Sequence, residues 1–167
     1  MSETTAWTAG EVFAGEGEHS GAVPVYLVRT GADLASLGLD SNASAWAETN
    51  RFKGSAKSSL LVPGRDGKLA GVLLGVGDGQ AGEPSGPSEL LLGSLASSLP
   101  AGTYRLAGSL DHPELAAIAW GLGAYKFRRY KRNASAGVTE AQAVDVRRLI
   151  MPRSVNSGRV ISTVEAV

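Results

Sequence analysis

An α/β fold in three layers is predicted, with a mixed but mostly parallel sheet and helices on both faces. Three observations predict it. Strand-like and helix-like segments alternate along the chain. Leu69 to Val76 is a nearly continuous apolar run of strand length, which implies cover on both faces. Between it and the strand-like Ser58 to Val62 lies Pro63-Gly64-Arg65-Asp66-Gly67, which is turn chemistry, so the two strands form a hairpin and one pairing runs antiparallel.

Each element follows from local chemistry. Residues 1–22 are polar and weakly patterned, broken by Gly15, Gly17 and Gly21, and read as a flexible lead or a weak edge strand. Val23 to Val28 is the first strand; its Val and Tyr content suits a pleated surface, and Pro24 suits an entry or edge position. Ser41 to Asn50 forms a short helix around Trp46. Gly77 to Gly86 is a loop. A helix then begins near Pro87, with Glu89 at the positive end of its dipole and Leu91, Leu95 and Leu99 as its apolar stripe. Thr103 to Ala107 is a strand.

Asp111 caps the next helix, with Glu114 at capping-box spacing; it runs to about Phe127. Ala117, Gly121 and Ala124 give that helix a small-residue face against which another backbone can lie close. Val144 to Met151 is a further strand, closed by Pro152, and Ser157 to Val167 begins a helix. The expected organisation is a lead over 1–22, the α/β domain over 23–155 and the start of a linker helix over 156–167.

Composition bounds the function. A chain of 167 residues that is 43% hydrophobic fits one domain with a real core. Sixteen basic and sixteen acidic residues give a net charge of +0, so no general attraction to nucleic acid or anionic membrane is expected. The absence of cysteine excludes disulfides and thiolate metal sites and suits a reducing cytoplasm. Met1 to Gly10 lacks the basic flank and apolar run of a secretory leader, and no apolar stretch is long enough to span a bilayer.

Candidate chemistry is sparse. Gly77-Asp78-Gly79-Gln80-Ala81-Gly82 matches G-x-G-x-x-G after a strand, yet Glu83, Pro84 and Pro87 intervene before the next helix. A dinucleotide site needs the last glycine to open that helix, so a surface loop is the better reading. His19 and His112 stand apart, and without cysteine they form no common zinc site. Asp66, Asp78 and Asp111 sit in turns and caps, where local backbone bonding accounts for them. Ser55, Ser58 and Ser59 lack a nearby histidine, and there is no G-x-S-x-G elbow. Trp46 and Trp120 read as core residues. The predicted catalytic, cofactor-binding and metal-ligating sets are therefore empty.

The basic run Lys126-Phe127-Arg128-Arg129-Tyr130-Lys131-Arg132 is the one charged feature of note. It suits a solvated helix carboxyl end, where cations offset the dipole. It could equally face another domain or subunit; a grip on DNA phosphates with Tyr130 stacked on a base is the less favoured reading, because charge runs at helix ends are common. The candidate surface residues are Lys126, Arg128, Arg129, Tyr130, Lys131 and Arg132.

Several segments together resemble the amino-terminal domain of leucyl (cytosol) aminopeptidases. Phe52-Lys53-Gly54-Ser55-Ala56-Lys57 is similar to that family's F-x-G-K-x-G-type segment, departing at Ala56 and Lys57. Val72-Leu73-Leu74-Gly75-Val76-Gly77 looks like its L-V-G-L-G strand, and Leu99-Pro100-Ala101-Gly102-Thr103-Tyr104-Arg105-Leu106 has an L-P-x-G-x-Y-R-L look. Gly121 to Lys131 resembles L-G-A-Y-x-F-x-x-Y-K, which is specific in combination.

The resemblance implies a macro-domain-like fold and a parent that is a cytoplasmic homohexameric metallopeptidase releasing amino-terminal residues from peptides. It further implies a separate catalytic domain holding two divalent metals, zinc or manganese. Two metals can bind the free amine, polarise the carbonyl and generate hydroxide at neutral pH. Neither an N-T-D-A-E-G-R nor a K-G-x-x-F-D-S-G segment occurs here, so no catalytic residue carries over and the chain alone is expected to be inactive. The implied partners are its own catalytic domain, sister subunits and the parent's peptide substrates. A nucleotide- or DNA-binding module is the alternative.

Overall fold

A strand with apolar side chains on both sides forces a layer of protein onto each, and Leu69–Gly77 is such a strand. The computed structural model describes residues 9–18, 20–78, 88–108, 110–134 and 146–167, with backbone alone at 16 and at 125–134. Within these residues lies one six-stranded sheet: β1 (Phe13–Ala14), β2 (Val23–Arg29), β3 (Ser59–Pro63), β4 (Leu69–Gly77), β5 (Gly102–Ala107) and β6 (Arg147–Ile150). The order across it is β1-β6-β5-β2-β4-β3. All neighbours run parallel except the β3–β4 hairpin, so the mixed, mostly parallel sheet is the one observed.

Parallel neighbours need crossovers, and four α-helices are described: α1 (Ser41–Thr49), α2 (Leu92–Ser98), α3 (Pro113–Ala134) and α4 (Ser157–Glu165). The pleat sorts β4 between two cores. Val72 and Leu74 face α2 and α3, joining Val25, Leu95, Tyr104, Trp120 and Leu149. Leu73 faces the other way, with Val28 and Val62, against Ala43 and Ala47 of α1 and the side chain of Phe52. A smaller cluster docks α4 beside α3 through Ala117, Val160 and Val164, with Ala9 buried among them. The backbone N–H of Ala9 donates to the Glu165 carboxylate at 3.1 Å, so the first described segment is tied to the last helix.

Of the two readings of the lead, the weak edge strand is the one observed: β1 pairs with β6 at the rim of the sheet through Phe13 and Ala14. Several other expectations need correction. The helix expected from Pro87 opens as a 3-10 turn, Ser88–Leu91, and becomes α-helical only at Leu92; Pro87 itself lies outside the described residues. Asp111 is exposed, its carboxylate 4.0 Å from the Arg29 guanidinium, while the His112 carbonyl accepts the first helical bond of α3 from Ala116. Glu114 does not reach back to a cap; it pairs with Arg159 of α4 at 3.1 Å. The helix also runs past Phe127 to Ala134.

The close approach of another backbone to α3 is not at Ala117, Gly121 and Ala124. It occurs at Gly123 and Ala119, where α2 brings Gly93 against them; a Cβ on Gly93 would lie 2.7 Å from the Ala119 carbonyl oxygen. Gly121 instead faces Val164 and Phe13. Trp120 is fully buried as expected, but Trp46 is 40% exposed. Its indole N–H donates to the Leu61 carbonyl at 3.0 Å. The Gly75 N–H to Ser58 carbonyl bond sets the hairpin's alternation, so Leu61 turns its backbone groups away from β4, and Trp46 meets one of them.

Glu89 is the one buried charged side chain among the described residues, at 4% exposure. Its carboxylate accepts from the backbone N–H of His112 at 3.1 Å and from the Ser88 hydroxyl at 3.2 Å. It thus satisfies a donor at the positive end of α3, supplied from a different helix. Glu89→Ala should destabilise the domain by about 1 kcal/mol or somewhat more, since it leaves the part-buried His112 N–H without its acceptor, whereas Glu89→Gln keeps an acceptor and should lose less. Urea unfolding of the two variants checks the order.

Tyr104 closes the turn before β5 by donating its hydroxyl to the Pro100 carbonyl at 2.6 Å. Burial raises its phenol above the ordinary 10.0, partly offset by the Arg147 guanidinium. Because the folded value is the higher one, the stability associated with the neutral phenol is complete below pH 10.0 and is lost as pH rises through the folded value. Tyr104→Phe should therefore flatten the alkaline fall in stability, measured by denaturant unfolding on either side of that pH.

Candidate functional site

The segment joining α1 to β3 holds the most built surface feature among the described residues. Asn50 ends α1, its amide donating to the Trp46 carbonyl at 2.8 Å. The chain then reverses through Arg51 at φ 54 and passes Gly54 at φ 74 and Lys57 at φ 67, all in the left-handed region. Two of these three are not glycine, so the backbone there is held against its own preference. The restraint comes from hydrogen bonds to the carboxyl ends of β2 and β4. Gly77 N–H donates to the Gly54 carbonyl at 3.0 Å, Gly31 N–H to that of Lys53 at 3.3 Å, and Lys57 N–H to that of Gly75 at 3.1 Å. Gly75 is required for this seat: a Cβ there would overlap the Ser55 carbonyl and the Ser58 hydroxyl.

The loop itself forms a depression of about 300 Å³ that is open to solvent. Asn50, Arg51, Lys53 and Ser55, Ser58 and Ser59 supply its polar walls; Phe52 and Leu60 supply the apolar ones. One N–H of the Asn50 amide and the Ser58 hydroxyl already donate, to the Trp46 and Ser55 carbonyls. The remaining polar side chains are two cations and two hydroxyls, with no carboxylate among the lining residues. Such a set can hold an anion and offers no base or nucleophile–base pair.

The residues singled out in the sequence are placed as follows. Lys126, Arg128, Arg129, Tyr130, Lys131 and Arg132 all fall in the last third of α3, whose backbone alone is described there. Successive helical positions turn by about 100°, so a run of this length occupies the whole circumference. Of the G-x-G-x-x-G segment, Gly77 ends β4 and both its backbone groups are used, its N–H by Gly54 and its carbonyl by Thr30; residues 79–82 lie outside the described residues. His19 lies outside them too. His112 is exposed at the start of α3, and Asp66 accepts from Lys68 N–H at 3.1 Å, a local turn bond as expected. Among the described residues no group of three His, Cys, Asp or Glu is placed to hold a metal ion, and no helix is long and apolar enough to cross a membrane.

Sequence reasoning missed the loop cavity and Glu89. The Phe52–Lys57 segment stood out by resemblance alone. Nothing local announces left-handed backbone at Arg51 and Lys57.

Fold and site together define an α/β domain with a mixed six-stranded sheet, distinguished by a restrained basic loop on the carboxyl ends of its central strands. The chain belongs to the M17 aminopeptidase family: the family model for the M17 aminopeptidase N-terminal domain matches residues 23–139. Among solved structures, the cytosol aminopeptidase of Coxiella burnetii has a TM-score of 0.68 at 24% identity, covering 94% of this chain and 32% of that one. The bottromycin maturation enzyme BotP in complex with Mn has a TM-score of 0.47 at 14% identity, over 86% of this chain and 29% of its own. No protein of curated function matches the sequence. The chain thus spans about a third of the length of the aminopeptidase it resembles in fold.

Proposed function

We propose that this domain is the non-catalytic amino-terminal part of a leucyl aminopeptidase-type exopeptidase, serving assembly and access to the active site. The observation that carries this is the family match over residues 23–139. The parent is a cytoplasmic homohexamer that releases amino-terminal residues from peptides, with two divalent metals, zinc or manganese, in the catalytic domain. The macro-like α/β domain contributes surface to its own catalytic domain or a sister subunit, and the stretch that holds Lys126, Arg128, Arg129, Tyr130, Lys131 and Arg132 is the candidate for it. One feature speaks against the alternative of a nucleotide module: the Glu89 carboxylate already sits at the amino end of α3, where it would repel a phosphate.

The test compares the full-length parent with a form lacking this domain, by sedimentation velocity and by leucine p-nitroanilide hydrolysis. Removal should break the hexamer into smaller species and lower kcat/KM, while this chain alone stays inactive. An intact, fully active hexamer after removal would sink the reading. For the DNA version, a gel shift that weakens with salt and vanishes on neutralising Arg128, Arg129 and Lys131 is the required result.

A further inference from the structure

We propose that the depression formed by the Asn50–Leu60 loop binds the phosphoryl group of a small organic phosphate ester, with Arg51 and Lys53 as its counter-charges. The inference is independent of the aminopeptidase reading, because it concerns only this loop.

Four observations carry it. The depression is about 300 Å³ and open to solvent, room for a small molecule at the surface, and no carboxylate lines it. Its uncommitted polar side chains are Arg51, Lys53, Ser55 and Ser59, which together offer two positive charges and hydroxyl donors, the chemistry of a dianion site. Phe52 and Leu60 add apolar wall, which suits an ester with an organic part over a bare ion.

The fourth observation is the backbone. Arg51 is held at φ 54, where glycine would fit without strain, yet the chain carries a long cation there. A cation at the carboxyl end of α1 also offsets that helix's dipole, but this does not account for Lys53, four residues beyond the helix end, in the same wall. Neither Arg51 nor Lys53 forms an ion pair among the described residues. The bonds from Gly31, Lys57 and Gly77 hold the loop in place before any ligand arrives, which lowers the entropy lost on binding.

The test is a titration of the isotopically labelled chain followed by amide NMR shifts, with phenyl phosphate, inorganic phosphate and acetate as probes. Phenyl phosphate should shift amides of residues 50–60 and saturate. It should bind more tightly than inorganic phosphate, and acetate should bind weakest. Arg51→Gly relaxes the backbone and should keep or raise the thermal midpoint, yet weaken phenyl phosphate by roughly tenfold, as should Lys53→Gln. Arg65→Gln, which removes an exposed cation of the β3–β4 turn outside the lining, should leave the affinity unchanged. Shifts scattered over the surface, or an affinity indifferent to Arg51→Gly and Lys53→Gln, would overturn the proposal. Equal binding of phenyl phosphate and inorganic phosphate would overturn the ester and assign the cavity to the free ion.

Discussion

Gly123→Ala should lower the stability of this domain by about 3 kcal/mol, at the upper end of what one added methyl group does in a packed interior. The cause is the crossing of α2 and α3. A Cβ on Gly123 would overlap the carbonyl oxygen of Gly93, and the neighbouring atoms are also backbone, so no side chain can rotate aside. Relief requires α2 to move off α3, and α2 carries Leu92, Leu95 and Ala96 into the main core. The matched control is Gly158→Ala in α4, where the nearest atom to a Cβ is the Asn156 side-chain oxygen at 3.4 Å. There the gain in helix propensity should stabilise by up to about 1 kcal/mol. Urea unfolding midpoints at constant slope give both values. A Gly123→Ala variant as stable as the parent would mean that the two helices do not cross in this way.

Trp120→Ala should cost about 3–5 kcal/mol, the other large effect, through loss of transfer energy and the cavity left behind. Trp120 is fully buried under the sheet, and its ring lies 5.8 Å from that of Tyr104 at a tilt of 47°. Its indole N–H has no hydrogen-bond partner among the described residues. The substitution Trp120→Phe should therefore be much milder than its volume change alone suggests, because it removes an unsatisfied donor along with part of the ring. The two variants, compared by the same unfolding measurement, separate packing from polarity. Equal losses for Phe and Ala would show that the N–H is satisfied after all.

What was legible in the sequence followed from local pattern. The four central strands and the hairpin came from apolar runs and turn residues, because strand burial repeats along the chain itself. The long α3 helix was legible from Pro113 onward for the same reason. What was not legible depends on partners far away. β1 is two residues long and exists because β6 offers it a ladder more than a hundred residues later. Glu89 looked like a charge for its own helix, but folding places it against His112 of another. Asp111 and Glu114 had capping-box spacing, and ion pairs with Arg29 and Arg159 claimed them instead. Of the candidate site, the Phe52–Lys57 segment stood out only by resemblance, while left-handed backbone at Arg51 and Lys57 is imposed by bonds to strand ends. The basic stretch of α3 was recognised as a charged feature from the sequence, and its helical backbone follows the pattern.

The indole of Trp46 has a consequence beyond its own contact. A sheet that stops in open space ends in a row of amide groups ready to accept a strand from any other chain. On the β3 rim, the Leu61 carbonyl is occupied by Trp46, and Pro63 has no N–H to give. The opposite rim is only as long as Phe13–Ala14. A strand arriving at the β3 rim from another copy would find one acceptor already taken and one donor missing, and an aromatic ring left in water takes the acceptor.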